Sequence, residues 1–334
     1  MIKIAVGIIL SALGLFIAFR DVDWPALRTA LSEANGLWIL VSAFFTVISV
    51  WIRAMRWRIL LGPLNAVRTS HLFSATMVGY FGNGVLPMRA GEVIKSYMVS
   101  RLYPDLAVSS VLGTVVVERL LDLCGLMLVS LWIAVTFDLP GWVLSGIAGV
   151  AIGLIGGLGV LGVAAFAPSH RIEALGRRLV GRWRWMSKPW RILETFLTGM
   201  AVLRRAGHTT AILGQTLVYW FCQWSMMLTA AWGLNQPLTW MESGTLLLGT
   251  MLAASLPSAP ANLGLFHAAA VLTMTAVLHY PQPDAQAYAI ASHAIRVLLP
   301  TVLGGILALA YSWAMPAVWK GRWRDEVSVS EAKN

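Results

Sequence analysis

Charge and cysteine are what this chain has least of. Only 12% of its 334 residues are Asp, Glu, Lys or Arg, against 58% hydrophobic, a balance outside the range of soluble globular domains. Cys124 and Cys222 stand alone inside apolar runs. Their isolation leaves no spacing for a zinc site, a redox pair or a disulfide framework, so both read as packing residues. The chain also lacks a Gly-x-Ser-x-Gly elbow, a His-Glu-x-x-His pair and a phosphate loop. No polar stretch is long enough for a catalytic domain, and neither metal nor cofactor is expected. Acidic residues number 15 against 25 basic ones, a net charge of +10. On a soluble domain that excess would suggest nucleic acid. Here the basic residues lie between apolar runs, where cytoplasmic loop charges of membrane proteins lie, and no nucleic-acid partner is expected. The first apolar run ends in Phe19-Arg20-Asp21 without a small-x-small cleavage site, which predicts an uncleaved first span.

What is present is hydrocarbon-compatible sequence. Runs over 2–19, 37–55, 107–137, 141–167, 211–234 and 286–315 meet or approach the ~20 residues that cross a bilayer. Sixteen Trp fit the same class, since indoles anchor at the headgroup level. Two further apolar segments, 71–102 and 243–279, are interrupted at Leu86-Pro87 and Leu256-Pro257 and resume at Gly91 and Gly264. Proline removes a backbone donor and clashes with the preceding turn. The pieces before the breaks, Leu72–Leu86 and Gly244–Leu256, reach only about 20–23 Å against a core of ~30 Å. Each segment therefore reads as a re-entrant helical hairpin, with two tilted spans as the alternative.

Loop charge sets the orientation. The linker 168–210 carries nine Lys or Arg against Glu173 and Glu194, and Arg53, Arg56, Arg58 and Arg68 follow the second span. The segment 20–36 leans acidic, and 138–142 and 280–285 have no basic residue. About six spans with both termini inside put every basic cluster in the cytoplasm. The expected architecture is an all-α polytopic membrane protein in the bacterial cell (inner) membrane, a single transmembrane domain over 1–324 with a short cytoplasmic tail at 325–334. Its repeats, 2–137 and 141–315, each run span, span, hairpin, span and are inverted relative to one another, a secondary-transporter plan. The linker 168–210, with arginines among Trp183, Trp185 and Trp190, reads as interfacial helix held by anionic headgroups.

Charged residues inside spans cost about 2.5–3.5 kcal/mol each on insertion scales, so each needs a partner or a purpose. Glu118 and Asp122 fall on one helix face, with Arg119 beside Glu118. They read either as a salt-bridge group tied to Arg89 or Lys95, or as headgroup-binding and proton-coupling residues. Arg296 has no acid near it in sequence and fits a phosphate by its fork geometry. Around the first break stand Asn83, Arg89, Glu92 and Lys95, with Pro87 and Gly91 as the break itself. The helix restarting at Gly91 offers free N–H groups, an anion site. In the second break, Pro257, Pro260 and Gly264 precede His267, either a packed histidine or one that titrates near neutrality.

The motifs Arg53-Ala54-Met55-Arg56-Trp57-Arg58-Ile59-Leu60-Leu61, Asn83-Gly84-Val85-Leu86-Pro87-Met88-Arg89-Ala90-Gly91-Glu92 and Glu118-Arg119-Leu120-Leu121-Asp122, followed by the Leu256-Pro257 to Gly264 break and Arg296, resemble one family. It is the flippase-like transmembrane region of the lysylphosphatidylglycerol synthases (multiple peptide resistance factors) and its stand-alone bacterial and archaeal members. The resemblance covers nearly the whole chain. It implies an integral membrane protein that moves a polar lipid between leaflets, without aminoacyl transfer. The family pattern has Glu where this chain has His267, so a carboxylate-dependent step there is not implied.

The expected function is translocation of an anionic or polar-headgroup lipid through a site between the hairpins, without catalysis. Arg89, Arg119, Arg296, Asn83 and Lys95 would bind the headgroup. Glu92, Glu118, Asp122 and His267 would balance charge or couple protons. The alternatives are a membrane-embedded transferase acting on a polyprenyl or hopanoid carrier, and a non-catalytic partner of a lipid-synthesis complex. Membrane lipids are the expected partners, with a second copy or a lipid-synthesis enzyme as protein partners.

Overall fold

The computed structural model describes residues 2–62, 64–86, 90–136, 206–255 and 258–312, with scattered helical positions between 141 and 190. Every regular element among the described residues is helical. In chain order they are α1 (Ile2–Phe19), α2 (Trp24–Ser32), α3 (Gly36–Leu61), α4 (Thr69–Val85), α5 (Gly91–Leu102), α6 (Val108–Thr136), α7 (Ala206–Gly233), α8 (Trp240–Ser255), α9 (Leu265–Leu272), α10 (Gln282–His293) and α11 (Leu299–Ala310). A 3-10 turn, Pro260–Asn262, precedes α9, and π-helical segments follow α9 (Thr273–Val277) and α10 (Ala294–Leu298).

The helices follow the apolar runs. Four stretches among the described residues are long and apolar enough to cross a membrane: Gly36–Leu61, Val108–Thr136, Pro260–Val277 and Gln282–Ala310. The third reaches that length only through Leu263 and Gly264, whose backbones are not α-helical. The limbs before the two breaks, α4 with 17 residues and α8 with 16, reach only about 24–26 Å, less than a ~30 Å core. Most of the span expected at 141–167 and nearly all of the linker fall outside the described residues. Helix α7 begins at Ala206, so the last residues of the expected linker are helical. Wide apolar faces are exposed, among them Leu37, Leu40 and Phe44 on α3 and Leu128, Leu131, Trp132 and Val135 on α6. Water would penalise such faces, and lipid accepts them.

One element has no counterpart in the reading of the sequence. The loop expected over 20–36 contains α2, begun by Asp23, whose carboxylate accepts the Ala26 N–H at 3.0 Å, and by Pro25 in the first turn. Leu27 is buried and Trp24 exposed, as in a helix lying at an interface. An Asp followed closely by Pro is a helix-start signal, and it stands in the sequence.

The described residues form two compact units, one within Met1–Ile52, Phe73–Lys95 and Val218–Trp313, the other within Arg53–Leu72 and Ser96–Leu217. Each draws on both anticipated repeats. In the first unit α9 packs on α1, α8 and α10. Polar side chains tie its helices together: Ser42 Oγ donates to the Met226 carbonyl (2.8 Å), Gln286 Nε2 to that of Ala18 (2.9 Å) and Tyr288 OH to that of Met227 (3.1 Å). Buried hydrogen bonds of this kind hold membrane helices together where apolar contact gives no net preference over lipid. In the second unit Trp57, wholly buried, donates its indole N–H to Thr114 at 2.9 Å and so joins α3 to α6.

Candidate functional site

The acids of α6 meet arginines of α3. Glu118 and Asp122 share a face of α6, as their spacing requires. Arg53 Nε donates to Glu118 Oε1, Arg53 Nη2 to Asp122 Oδ2 at 2.6 Å, and Arg56 Nη2 to Asp122 Oδ1. Arg56 Nη1 also donates to Thr216 Oγ1 of α7 at 3.0 Å. The Glu118 and Arg56 side chains have no exposed surface. Arginines of α3, which the sequence did not offer as partners, thus serve both acids. Arg89 lies outside the described residues, and Lys95 pairs with Glu92. The physical reason is that α3 continues to Leu61, so Arg53 and Arg56, which look like loop charges, ride on a packed helix. Arg119 stands at the rim, its side chain 43% exposed and Nη1 3.5 Å from Asp122 Oδ2.

At the first break Pro87 and Arg89 are outside the described residues, but its flanks are defined. The Gly91 N–H, expected to be free for an anion, is taken by Asn83 Oδ1 at 2.9 Å. Asn83 is thus a cap that bridges the break. Gly91 has to be glycine, because a Cβ there would run into the Gly79 carbonyl oxygen and the Asn83 side chain. Lys95 Nζ lies 3.2 Å from Glu92 Oε2 within α5 and is almost fully buried. Asn83→Ala is expected to lower stability by about 1 kcal/mol, the worth of a lost cap, read as a lower thermal midpoint in detergent.

Pro257 also lies outside the described residues. Beyond it the backbone at Ala261 and Asn262 is left-handed (φ 59° and 54°) and Gly264 has φ 84°. Ser11 of α1 accepts the Ala259 N–H at 2.7 Å, Ser258 Oγ donates to Asn262 Oδ1 at 2.8 Å, and His293 Nε2 sits 2.9 Å from the Ala261 carbonyl oxygen. His267 lies against His293, ring centroids 4.5 Å apart, and against Phe19 at 5.6 Å. Sequence reasoning did not single out His293. Its place three residues before Arg296 was the only hint.

Arg296 occupies the π-helical segment after α10; such segments concentrate at functional positions. Nη2 is 2.9 Å from the Met251 sulfur of α8, a weak acceptor. Nη1 is buried without a hydrogen-bond partner among the described residues. The hydroxyls of Tyr80 (α4), Tyr219 (α7) and Tyr288 (α10) lie within electrostatic range. Helices from both interrupted segments, α4 and α8, thus contribute to the surroundings of one guanidinium. Helices α4 and α11 are in close contact, with Thr301 against Gly84 and the Met77 carbonyl against Gly304. Among the described residues no group of three or more His, Cys, Asp or Glu could hold a metal ion.

A family model described as the lysylphosphatidylglycerol synthase TM region matches residues 4–304. The chain belongs to that family. Among curated proteins the chain is similar to one named Glycosyltransferase AglD, from Haloferax volcanii, with 25% identity over 341 residues, covering 91% of this chain and 54% of that protein. The chain spans about half the length of that relative. As a member of that family it is a membrane protein, and the family points to a membrane lipid-related function. The ion-pair cluster, both break regions and Arg296 all fall within the matched residues.

Proposed function

We propose that this protein moves an anionic or polar-headgroup lipid between leaflets, with Arg296 as the headgroup contact. The observation that carries the proposal is the buried Nη1 of Arg296, without a hydrogen-bond partner among the described residues, in a π-helical segment beside Tyr80, Tyr219 and Met251. A buried cation without a carboxylate is costly, and a lipid phosphate supplies the acceptors it wants. Lys95, as a further headgroup contact, and Glu92, as its balancing charge, belong to the same proposal; the two are paired at 3.2 Å in α5. Arg89, Pro87 and Pro257 belong to the same proposal by sequence position.

The test is lipid movement in proteoliposomes containing dithionite-quenchable fluorescent phospholipids. Wild-type protein is expected to accelerate exchange across the bilayer, and Arg296→Gln to slow it by about tenfold or more, the worth of a charged hydrogen bond. Exchange no faster than in protein-free vesicles, for every anionic lipid tried, overturns the reading.

A second reading, a membrane-embedded lipid-modifying transferase, draws support from the name of the 25% identical relative. Against it, the two acids best placed for acid-base chemistry, Glu118 and Asp122, are engaged by Arg53 and Arg56. Lipid extracts from deletion cells separate the two: a missing product favours the transferase, a mislocalised lipid the translocase.

A further inference from the structure

A cavity with a mostly apolar wall and a few polar groups lies in the Arg53–Leu72 and Ser96–Leu217 unit, at the ends of helices. It has a volume of about 310 Å³ and is lined by Met55, Arg58, Ile59, Thr69, His208 and Gln215, among others. The lining follows from helical periodicity. Met55, Arg58 and Ile59 fall at i, i+3 and i+4 on the last turns of α3, and His208 and Gln215 fall at i and i+7 on α7. Thr69 begins α4. Helices α3 and α7 are tied together next to the lining by the Arg56 to Thr216 hydrogen bond at 3.0 Å.

The chemistry of the lining is specific. Arg58 is an exposed cation. Gln215 Oε1 and His208 Nδ1 are buried and have no hydrogen-bond partner among the described residues. Buried polar atoms are rarely left so. An occupant must offer an anion to Arg58, a hydroxyl donor to the Gln215 carbonyl oxygen, and a further hydrogen-bonding group to His208. A phosphate ester bearing a free hydroxyl meets all three demands. The volume is at the small end of ligand pockets (~300–1,000 Å³), enough for a headgroup and not for acyl chains. The walls supplied by Met55 and Ile59, the position at the end of the apolar helix Gly36–Leu61, and the exposed Leu213 and Leu217 on α7 favour an amphiphile whose chains run along the protein.

We propose that this cavity is an interfacial binding site for the hydroxylated phosphodiester headgroup of an anionic glycerolipid, separate from the headgroup contact at Arg296. It needs no translocation to be occupied, and its lipid would dock the ends of α3 and α7 in the headgroup layer.

The test is native mass spectrometry of the full chain in detergent, in the Arg296→Gln background so that lipid bound there is removed. Titration with phosphatidylglycerol is expected to give a retained adduct that phosphatidylcholine does not. Arg58→Gln is expected to weaken that adduct about tenfold, as loss of a charged hydrogen bond does. Gln215→Leu should weaken it severalfold, and Arg68→Gln, the same charge change at an exposed neighbour outside the cavity, should leave it unchanged. Equal retention in the Arg58→Gln, Gln215→Leu and Arg68→Gln proteins overturns the proposal. So does equal retention of the two lipids. Glycerol 1-phosphate that binds as tightly as the lipid would overturn the lipid assignment and make the ligand a soluble phosphate ester.

Discussion

Asp122→Ala is expected to destabilise the protein by about 3–5 kcal/mol, the range for removing one partner of a buried ion pair. The reason is geometric. One carboxylate serves two guanidinium groups, accepting from Arg53 Nη2 at one oxygen and from Arg56 Nη2 at the other. Both arginine side chains are 3% exposed or less, so water cannot replace the lost acceptor. The loss is measured by unfolding in bicelles. The joint variant Arg56→Met/Asp122→Leu removes charge from both sides and should regain much of the stability, since apolar replacement of a whole buried pair is often neutral. Lipid movement by that joint variant decides the role of the acid. A structural carboxylate predicts that movement survives, and a proton-coupling one predicts that it stops. An Asp122→Ala protein within about 1 kcal/mol of the wild type would show the cluster to be dispensable.

The second large effect is expected at Gly264. Its φ of 84° lies where L side chains rarely go, and an added Cβ would run into the Ser11 carbonyl oxygen of α1. Gly264→Ala therefore has two costs, about 1–3 kcal/mol of backbone strain and the separation of α1 from the start of α9. The expected outcome is poor recovery of folded protein and loss of the Ser11 to Ala259 hydrogen bond, seen as fast amide exchange at Ala259. Gly214→Ala is the control. Gly214 lies within α7, where an added methyl group would meet nothing within 4 Å, and alanine there should be neutral or stabilising by up to ~1 kcal/mol.

Much of the fold could be read from the chain. Helices α1, α3 and α6 sit where the apolar runs place them, and proline with glycine marks both breaks. The pairing of Glu118 with Asp122 on one face follows from a spacing of four. Their partners could not be read this way, because helix length beyond an apolar run is invisible to hydropathy. Arg53 and Arg56 count as loop charges until α3 is seen to reach Leu61. Arg296 stood out as an arginine without an acid nearby. Its π-helical backbone did not, since no residue preference marks a five-residue π segment. Asn83 reads as a headgroup contact in the sequence, and its Oδ1 accepts the Gly91 N–H across the break, a bond that the sequence does not show. Such a bond is typical of Asn, whose side chain competes for nearby backbone groups. The cavity beside Arg58 escaped notice because His208 and Gln215 come together with α3 only in three dimensions.

The contacts that α1 makes also set a timetable for synthesis. Ser11 meets Ala259 across 248 residues, and the Ala18 carbonyl meets Gln286 across 268. At ~5–20 residues per second, the ribosome needs roughly 10–50 s to make what lies between. The first helix to leave it must therefore stay in the bilayer with its serine and glycine face uncovered until the last quarter of the chain arrives. Insertion of α1 and its docking are separate events, and a chain stopped before residue 259 holds a first helix with no seat.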